Sequence, residues 1–255
     1  MRLISLFFLV VLSTLKTTAQ SSDNTITLDS LHTNLKNIPF HFKQLIIPSV
    51  LITYGFVGLE SHGIQGWNLG IRSEVQEDID KKFTIDDFLQ YSPAVSVYAL
   101  NAIGIKGKNN FKDRTVILGT SMLLMATTVY ALKHSTNVKR PDGADTNSFP
   151  SGHTALAFAG AEFMYQEFKA VSIWYGISGY VVATATGAFR MYNNKHWLTD
   201  VAAGAGIGIL STKAAYWLSP MLNKHIFPSM TGKTTALFAP TYNGNQLGGS
   251  FVLNF

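Results

Sequence analysis

The chain is predicted to fold as an all-α helical bundle embedded in a membrane, with a short C-terminal tail resembling a β-hairpin. Three observations lead to this fold class. Apolar blocks of helix length recur at residues 45–59, 91–105, 115–132, 153–168, 170–189 and 201–217. Period-two alternation is absent across that region, so it reads as helix and not strand. Charged residues make up only 14% of the chain and hydrophobic residues 47%, against a usual charged share of about 25%.

The elements follow in order. Met1-Arg2, an apolar run over 3–15 and the small residues Thr17-Thr18-Ala19 have the layout of an export signal. A signal peptide at 1–19 is therefore expected, followed by a polar linker at 20–43 and a helical domain at 44–225. Only the blocks at 115–132 and 170–189 approach the ~20 apolar residues that span a bilayer unaided. The block at 45–59 is short and carries Pro48, which suits an interfacial segment or one packed on the bundle. Residues 71–90 mix charge with scattered apolar positions, as an interfacial amphipathic helix does. Gly104, Gly107 and Pro141 fall where helices should stop, and Ser151-Gly152 where one should start. In the tail, 226–255, two β-prone stretches at 234–242 and 246–255 flank Asn243-Gly244, a hairpin-turn signal.

The net charge of +5 favours an anionic partner. Nucleic acid is not expected, because no dense basic run is interleaved with aromatics. Lys106, Lys108, Lys112 and Arg114 read instead as a membrane-flanking loop, cytoplasmic by the positive-inside tendency. With no cysteine, neither disulfides nor thiolate metal sites contribute.

Three short segments gather cations, histidines and a carboxylate at the ends of apolar blocks: 133–141, 149–153 and 190–200. His196 and Asp200 are four apart and share a face if helical. A carboxylate on one ring nitrogen fixes the tautomer and frees the other as a nucleophile, though an isolated pair of this kind is more often a surface ion pair. Ser151-Gly152 before a helix offers backbone amides to an anion, and His153 in the first turn can protonate a leaving oxygen. An N-cap with an incidental histidine is an equal alternative. Lys133, Arg140 and Arg190 can stabilise the charge that spreads over a phosphoryl group in transfer; each alone could also be a snorkelling membrane-edge cation.

Together these segments resemble the three-part motif of the type 2 phosphatidic acid phosphatase family, related in fold to bacterial acid phosphatases and vanadium haloperoxidases. Lys133, Arg140 and Pro141 match the first part, Pro150 to His153 the second, and Arg190, His196 and Asp200 the third. The Ser that precedes the third-part Arg in the family is Phe189 here. The resemblance implies a phosphatase without metal or cofactor, acting on a lipid phosphate at a bacterial envelope membrane. In it His196 attacks phosphorus, Asp200 holds its ring, and His153 protonates the leaving alcohol. Lys133, Arg140, Arg190 and the amides around Ser151 and Gly152 hold the phosphate. A soluble periplasmic phosphatase and a vanadate-dependent haloperoxidase are the competing readings on the same fold, and a non-catalytic membrane protein is a third.

A basic loop inside and a chain that starts outside after signal cleavage require an odd number of crossings before residue 106. One of the first two blocks should then not cross, and 45–59 is the candidate. Glu162 lies in an apolar block and needs a buried partner or a helix that is not fully lipid-embedded. His134 and Lys139 are expected on the surface. Asp142 can pair with a site cation or turn the chain with Gly143, and Trp197 can line a lipid path or pack in the core.

Overall fold

A computed structural model of the protein describes residues 42–77, 84–225, 235–242 and 247–254. The signal segment, nearly all of the linker and the Asn243-Gly244 turn lie outside the described residues. After a 3₁₀ turn at Phe42–Leu45 come eight helices: α1 Ile46–Glu60, α2 His62–Gln76, α3 Asp86–Leu89, α4 Ser92–Ala102, α5 Phe111–Thr136, α6 Gly152–Phe168, α7 Ile173–Tyr192 and α8 Leu198–His225. The chain divides into two compact units, one through Trp217 and one from Leu218. The second unit carries an antiparallel pair, β1 Thr235–Tyr242 with β2 Leu247–Asn254, in register from Tyr242↔Leu247 to Thr235↔Asn254.

In the first unit α6 is the central helix. Ala155, Ala157, Ala159, Ala161, Phe163 and Phe168 along it are buried. Its far half packs with Val97 of α4, Ile117 of α5 and Ala215 of α8. Its near half packs with Met125, Val129 and Leu132 of α5 and Ile207 of α8. Two glycines let α8 lie backbone to backbone on α6. A Cβ at Gly204 would sit 2.4 Å from the Ser151 carbonyl oxygen, and one at Gly208 would sit 2.2 Å from that of Ala155. Any side chain there would force the helices apart. This close approach seats the start of α8 beside the start of α6.

The directions of travel correct the expected topology. Gly58 near the end of α1 meets Thr199 at the start of α8, whereas Gly206 further along α8 meets Pro48 near the start of α1. α1 therefore runs toward the start of α8. From Asp87, which contacts His153, the chain returns through α4 to Asn101, bonded to Arg114 at the other end of the bundle. Both early blocks run along the bundle, in opposite directions, so residue 42 and the 106–114 loop share one end. Among the described residues, the segments long and apolar enough to cross a membrane are Phe42–Glu60 and Phe111–Thr136; the second contains the expected 115–132 block, and the first takes the place expected for 170–189. Pro48 does not shorten the first, because it sits in the first helical turn, where its missing N–H has no intrahelical acceptor anyway. α4 is the short one, with 11 residues, or about 16 Å of helix.

Glu162 has buried partners. It is 1% exposed and accepts from Lys213 Nζ of α8 at 2.7 Å, from Gln166 Nε2 at 2.6 Å and from the Tyr180 hydroxyl. Five residues on, Glu167 accepts from Arg114, Asn109 and Tyr216. These two carboxylates tie α5, α7 and α8 to the far end of α6.

Candidate active site

The three sequence segments meet at one end of the bundle, where α5 and α7 end and α6 and α8 begin. α7 stops in a Schellman turn: Lys195 N–H donates to the Arg190 carbonyl and Asn194 N–H to that of Met191, with Asn194 at φ 57°. The chain then reverses into α8 and carries His196 inward, leaving it 4% exposed. α6 begins at Ser151, whose hydroxyl caps the helix by accepting from Thr154 N–H.

His196 Nδ1 lies 3.4 Å from Asp200 Oδ2, long for a hydrogen bond. Ser148 stands between them. Its hydroxyl donates to Asp200 Oδ2 at 2.5 Å and lies 3.4 Å from His196 Nδ1. Trp197 N–H donates to the same Asp200 oxygen at 2.9 Å. The Nδ1 edge of the ring is thus held, and Nε2 is the nitrogen left for chemistry. Burial pushes the imidazole down to about 4, with Lys133 and Arg190 adding to the shift and Asp200 opposing it. At neutral pH the ring is uncharged.

Two of the three cations share a partner. Lys133 Nζ donates to the Asn147 carbonyl at 2.5 Å, and Arg140 donates to the Asn147 side-chain oxygen from Nε at 3.1 Å and from NH2 at 2.9 Å. One residue, Asn147, therefore holds both first-segment cations beside Ser148. Arg190 NH1 is paired with Asp86 Oδ2 at 2.6 Å, and Asn193 donates to the other Asp86 oxygen. The buried Arg190 Nε has no partner among the described residues, so the site holds an unspent, oriented donor. His153 Nε2 lies 3.0 Å from Asp87 Oδ1. The donor atoms of Asp86, Asp87 and His153 lie within 4.8 Å of one another, but Asp86 is committed to Arg190 and Asn193.

One expected phosphate donor is otherwise engaged. Ser151 N–H bonds the Asp200 carbonyl at 3.0 Å, which leaves the following amides, Gly152 onward, as candidates. A Cβ at Gly152 would make only an ordinary 3.8 Å contact with Val129, so packing does not demand this glycine.

Residues 114–224 match the PAP2 superfamily. The chain is 40% identical over 139 residues to a lipid A 1-phosphatase of Porphyromonas gingivalis, covering 54% of this chain and 31% of that protein. It is 36% identical over 98 residues to the bacitracin transport permease protein BcrC of Bacillus licheniformis, covering 38% of this chain and 46% of that one. The chain thus spans less than half the length of either relative. Among solved structures it is similar to Aquifex aeolicus LpxE, at 24% identity and a TM-score of 0.45 over 58% of this chain and 94% of that one. A second is the first transmembrane PAP2 type phosphatidylglycerolphosphate phosphatase from Bacillus subtilis, at 21% identity and a TM-score of 0.47 over 71% and 97%.

Around the candidate site lie residues the motifs do not include. Asn147 and Ser148 directly precede the second segment, and only the fold shows that they touch the first and third. Within 71–90, expected to form an interfacial or surface amphipathic helix, the described residues include the end of α2 and all of α3, and both contact the candidate site. Arg72 Nε donates to Asn194 Oδ1 at 2.8 Å, Gln76 to the Tyr192 carbonyl, and α3 supplies Asp86 and Asp87. Those charges stand where an amphipathic face would, so period alone gave no hint of their use.

The other polar residues are settled by contacts. Asp142 accepts from Lys195 at 2.7 Å and from Ala144 N–H, turning the chain with Gly143 at φ 73°. Burial works against its charge, but those hydrogen bonds hold its carboxyl below the usual range. His134 and Lys139 are exposed. Trp197 Nε1 donates to the Lys139 carbonyl, and its ring lies under Arg72. It also lines a cleft of about 270 Å³ with Gly58, Leu69 and Val138. A wider cleft, about 730 Å³, lies around Tyr98, Lys106 and Arg114 and includes none of the residues of the three segments.

Proposed function

We propose that this chain is a phosphatase that removes phosphate from a lipid through a phosphohistidine on His196, without a metal, at a bacterial envelope membrane. The observation that carries the reading is the held Nδ1 edge of a buried neutral His196, set among the side chains of Lys133 and Arg190. His196 Nε2 attacks phosphorus while Asp200 and Ser148 hold the opposite nitrogen. Lys133, Arg140 and the free Arg190 Nε take the phosphoryl oxygens, helped by the Gly152 amide. His153 protonates the leaving alcohol, and water then hydrolyses the P–N bond. The name of the 40%-identical relative supports a lipid A phosphate as substrate, and the 270 Å³ cleft at Trp197 supports an approach from the lipid side.

The membrane setting rests on Phe42–Glu60 and Phe111–Thr136. Exposed apolar side chains such as Ile47 and Val50 on α1 and Leu123 on α5 support lipid contact. With the basic 106–114 loop cytoplasmic, the site at the opposite end faces the periplasm, and the chain at residue 42 is on the cytoplasmic side. Phosphate release from a panel of lipid phosphates tests the reading, using wild type and His196→Ala in parallel. Wild type should survive EDTA, be inhibited by vanadate and yield an acid-labile phosphoenzyme, and His196→Ala should be inactive. Complete loss of activity on chelation removes this mechanism.

A further inference from the structure

The mechanism needs a proton donor at the leaving oxygen, and His153 is placed for it by more than its own helix. Asp87 Oδ1 lies 3.0 Å from His153 Nε2. Asp87 is not an arbitrary surface acid, because its neighbour Asp86 is 1% exposed and locked by Arg190 at 2.6 Å and by Asn193 at 3.0 Å. The backbone of α3 is therefore pinned to α7, and Gln90 Nε2 adds a bond to the Asp87 carbonyl. The pinned turn delivers one carboxylate to the cradle arginine and the next to the histidine at the mouth. The His153 and Asp87 side chains are 30% and 52% exposed, so the pair sits where a leaving group would depart.

We propose that Asp87 is a positioning residue for leaving-group protonation: it holds the Nε2 edge of His153 so that Nδ1 faces the departing oxygen. This inference rests on the phosphatase reading above. As the P–O bond breaks and the bond to His196 Nε2 forms, cationic His153 gives its Nδ1 proton to the leaving alkoxide and keeps Nε2–H on Asp87. Neutral His153 then takes a proton from the water that attacks the phosphohistidine, which restores the cation and releases inorganic phosphate. The charged groups facing the ring are Asp86 and Asp87 from α3 and Arg190 from α7. Burial and Arg190 both disfavour the cation, and Asp87 opposes them. Without Asp87 the ring should lose its proton at lower pH.

The test compares wild type, Asp87→Asn and Asp87→Ala in detergent, over a pH series, with a long-chain alkyl phosphate and with p-nitrophenyl phosphate. An alkoxide is a poor leaving group that needs the proton, and p-nitrophenolate is not. Asp87→Asn keeps an acceptor for Nε2–H but loses the charge. Its alkaline limb of kcat with the alkyl phosphate should move down by about half to one pH unit. Asp87→Ala loses orientation as well, and its kcat on the alkyl phosphate should fall about tenfold or more. With p-nitrophenyl phosphate the Asp87→Ala loss should be several-fold smaller. An unmoved limb in Asp87→Asn, equal losses on both substrates, or a gain of activity showing that the carboxylate masks the ring would each overturn the inference. His196→Ala separates the two levels. If it is inactive on both substrates while the Asp87 variants match wild type, only the role of Asp87 fails. If it remains active, the phosphohistidine reading fails.

Discussion

Lowering the pH should destabilise this protein through His196 in particular. The ring is 4% exposed, and burial pushes its pKa from 6.5 to about 4. The folded state therefore resists a proton that the unfolded chain accepts readily. For a histidine with a depressed folded pKa, the stability is complete above about pH 6.5. It falls as pH drops toward 4 and levels off below. The difference of about 2.5 pH units corresponds to about 3 kcal/mol in full, of which about 2 kcal/mol is lost by pH 5. That is a sizeable part of the 5–15 kcal/mol typical of a folded domain. Urea unfolding in a mild detergent, followed by tryptophan fluorescence at pH 7, 6, 5 and 4, measures the loss. His196→Gln is the control, because it keeps a polar side chain of similar reach and removes the titration. Wild type should lose about 2 kcal/mol more than the variant between pH 7 and 5. If the two curves fall in parallel, His196 is not held neutral in a dry pocket, and the account of its nucleophilicity loses its basis.

Ser148→Ala removes the hydroxyl donor from a fully buried carboxylate and leaves Trp197 N–H on that oxygen. A hydrogen bond to a charged group is worth about 1.5–3 kcal/mol. kcat should fall about tenfold or more with little change in KM, and Ser148→Thr should recover part of it. Lys213→Met leaves Glu162 buried without its cation. It should cost about 3–5 kcal/mol, while adding Glu162→Gln should recover much of that loss, as read by detergent unfolding in a double-mutant cycle. Gly208→Ala drives a methyl against the Ala155 carbonyl. A stability lower by about 1–3 kcal/mol is expected, and an unchanged unfolding midpoint would show that α6 and α8 are not so close.

Helix content, the all-α class and the candidate chemical residues were legible in the sequence because they rest on local pattern: block length, the spacing of Lys133 with Arg140, and that of His196 with Asp200. The hairpin tail was legible for the same reason, since β-prone runs on both sides of Asn243-Gly244 need no distant partner to be recognised. Which residues touch across the fold was not. Ser148 reaches Asp200 and His196 where Gly204 and Gly208 let α8 close on α6, and Asn147 binds Lys133 and Arg140 because the loop after α5 folds back on the end of that helix. Asp86 and Asp87 reach the site because α3 folds back onto α7, a contact between positions about a hundred residues apart. Period and composition carry no information about contacts of that range. The same holds for topology. For Glu162 the sequence left a buried partner and a helix not fully lipid-embedded as alternatives; that Lys213 supplies a partner, and that α1 runs toward the site and α4 away from it, follows from packing. Local propensity determines where a helix is; the complementarity of its buried face with other helices decides where it points and which side chains it brings together.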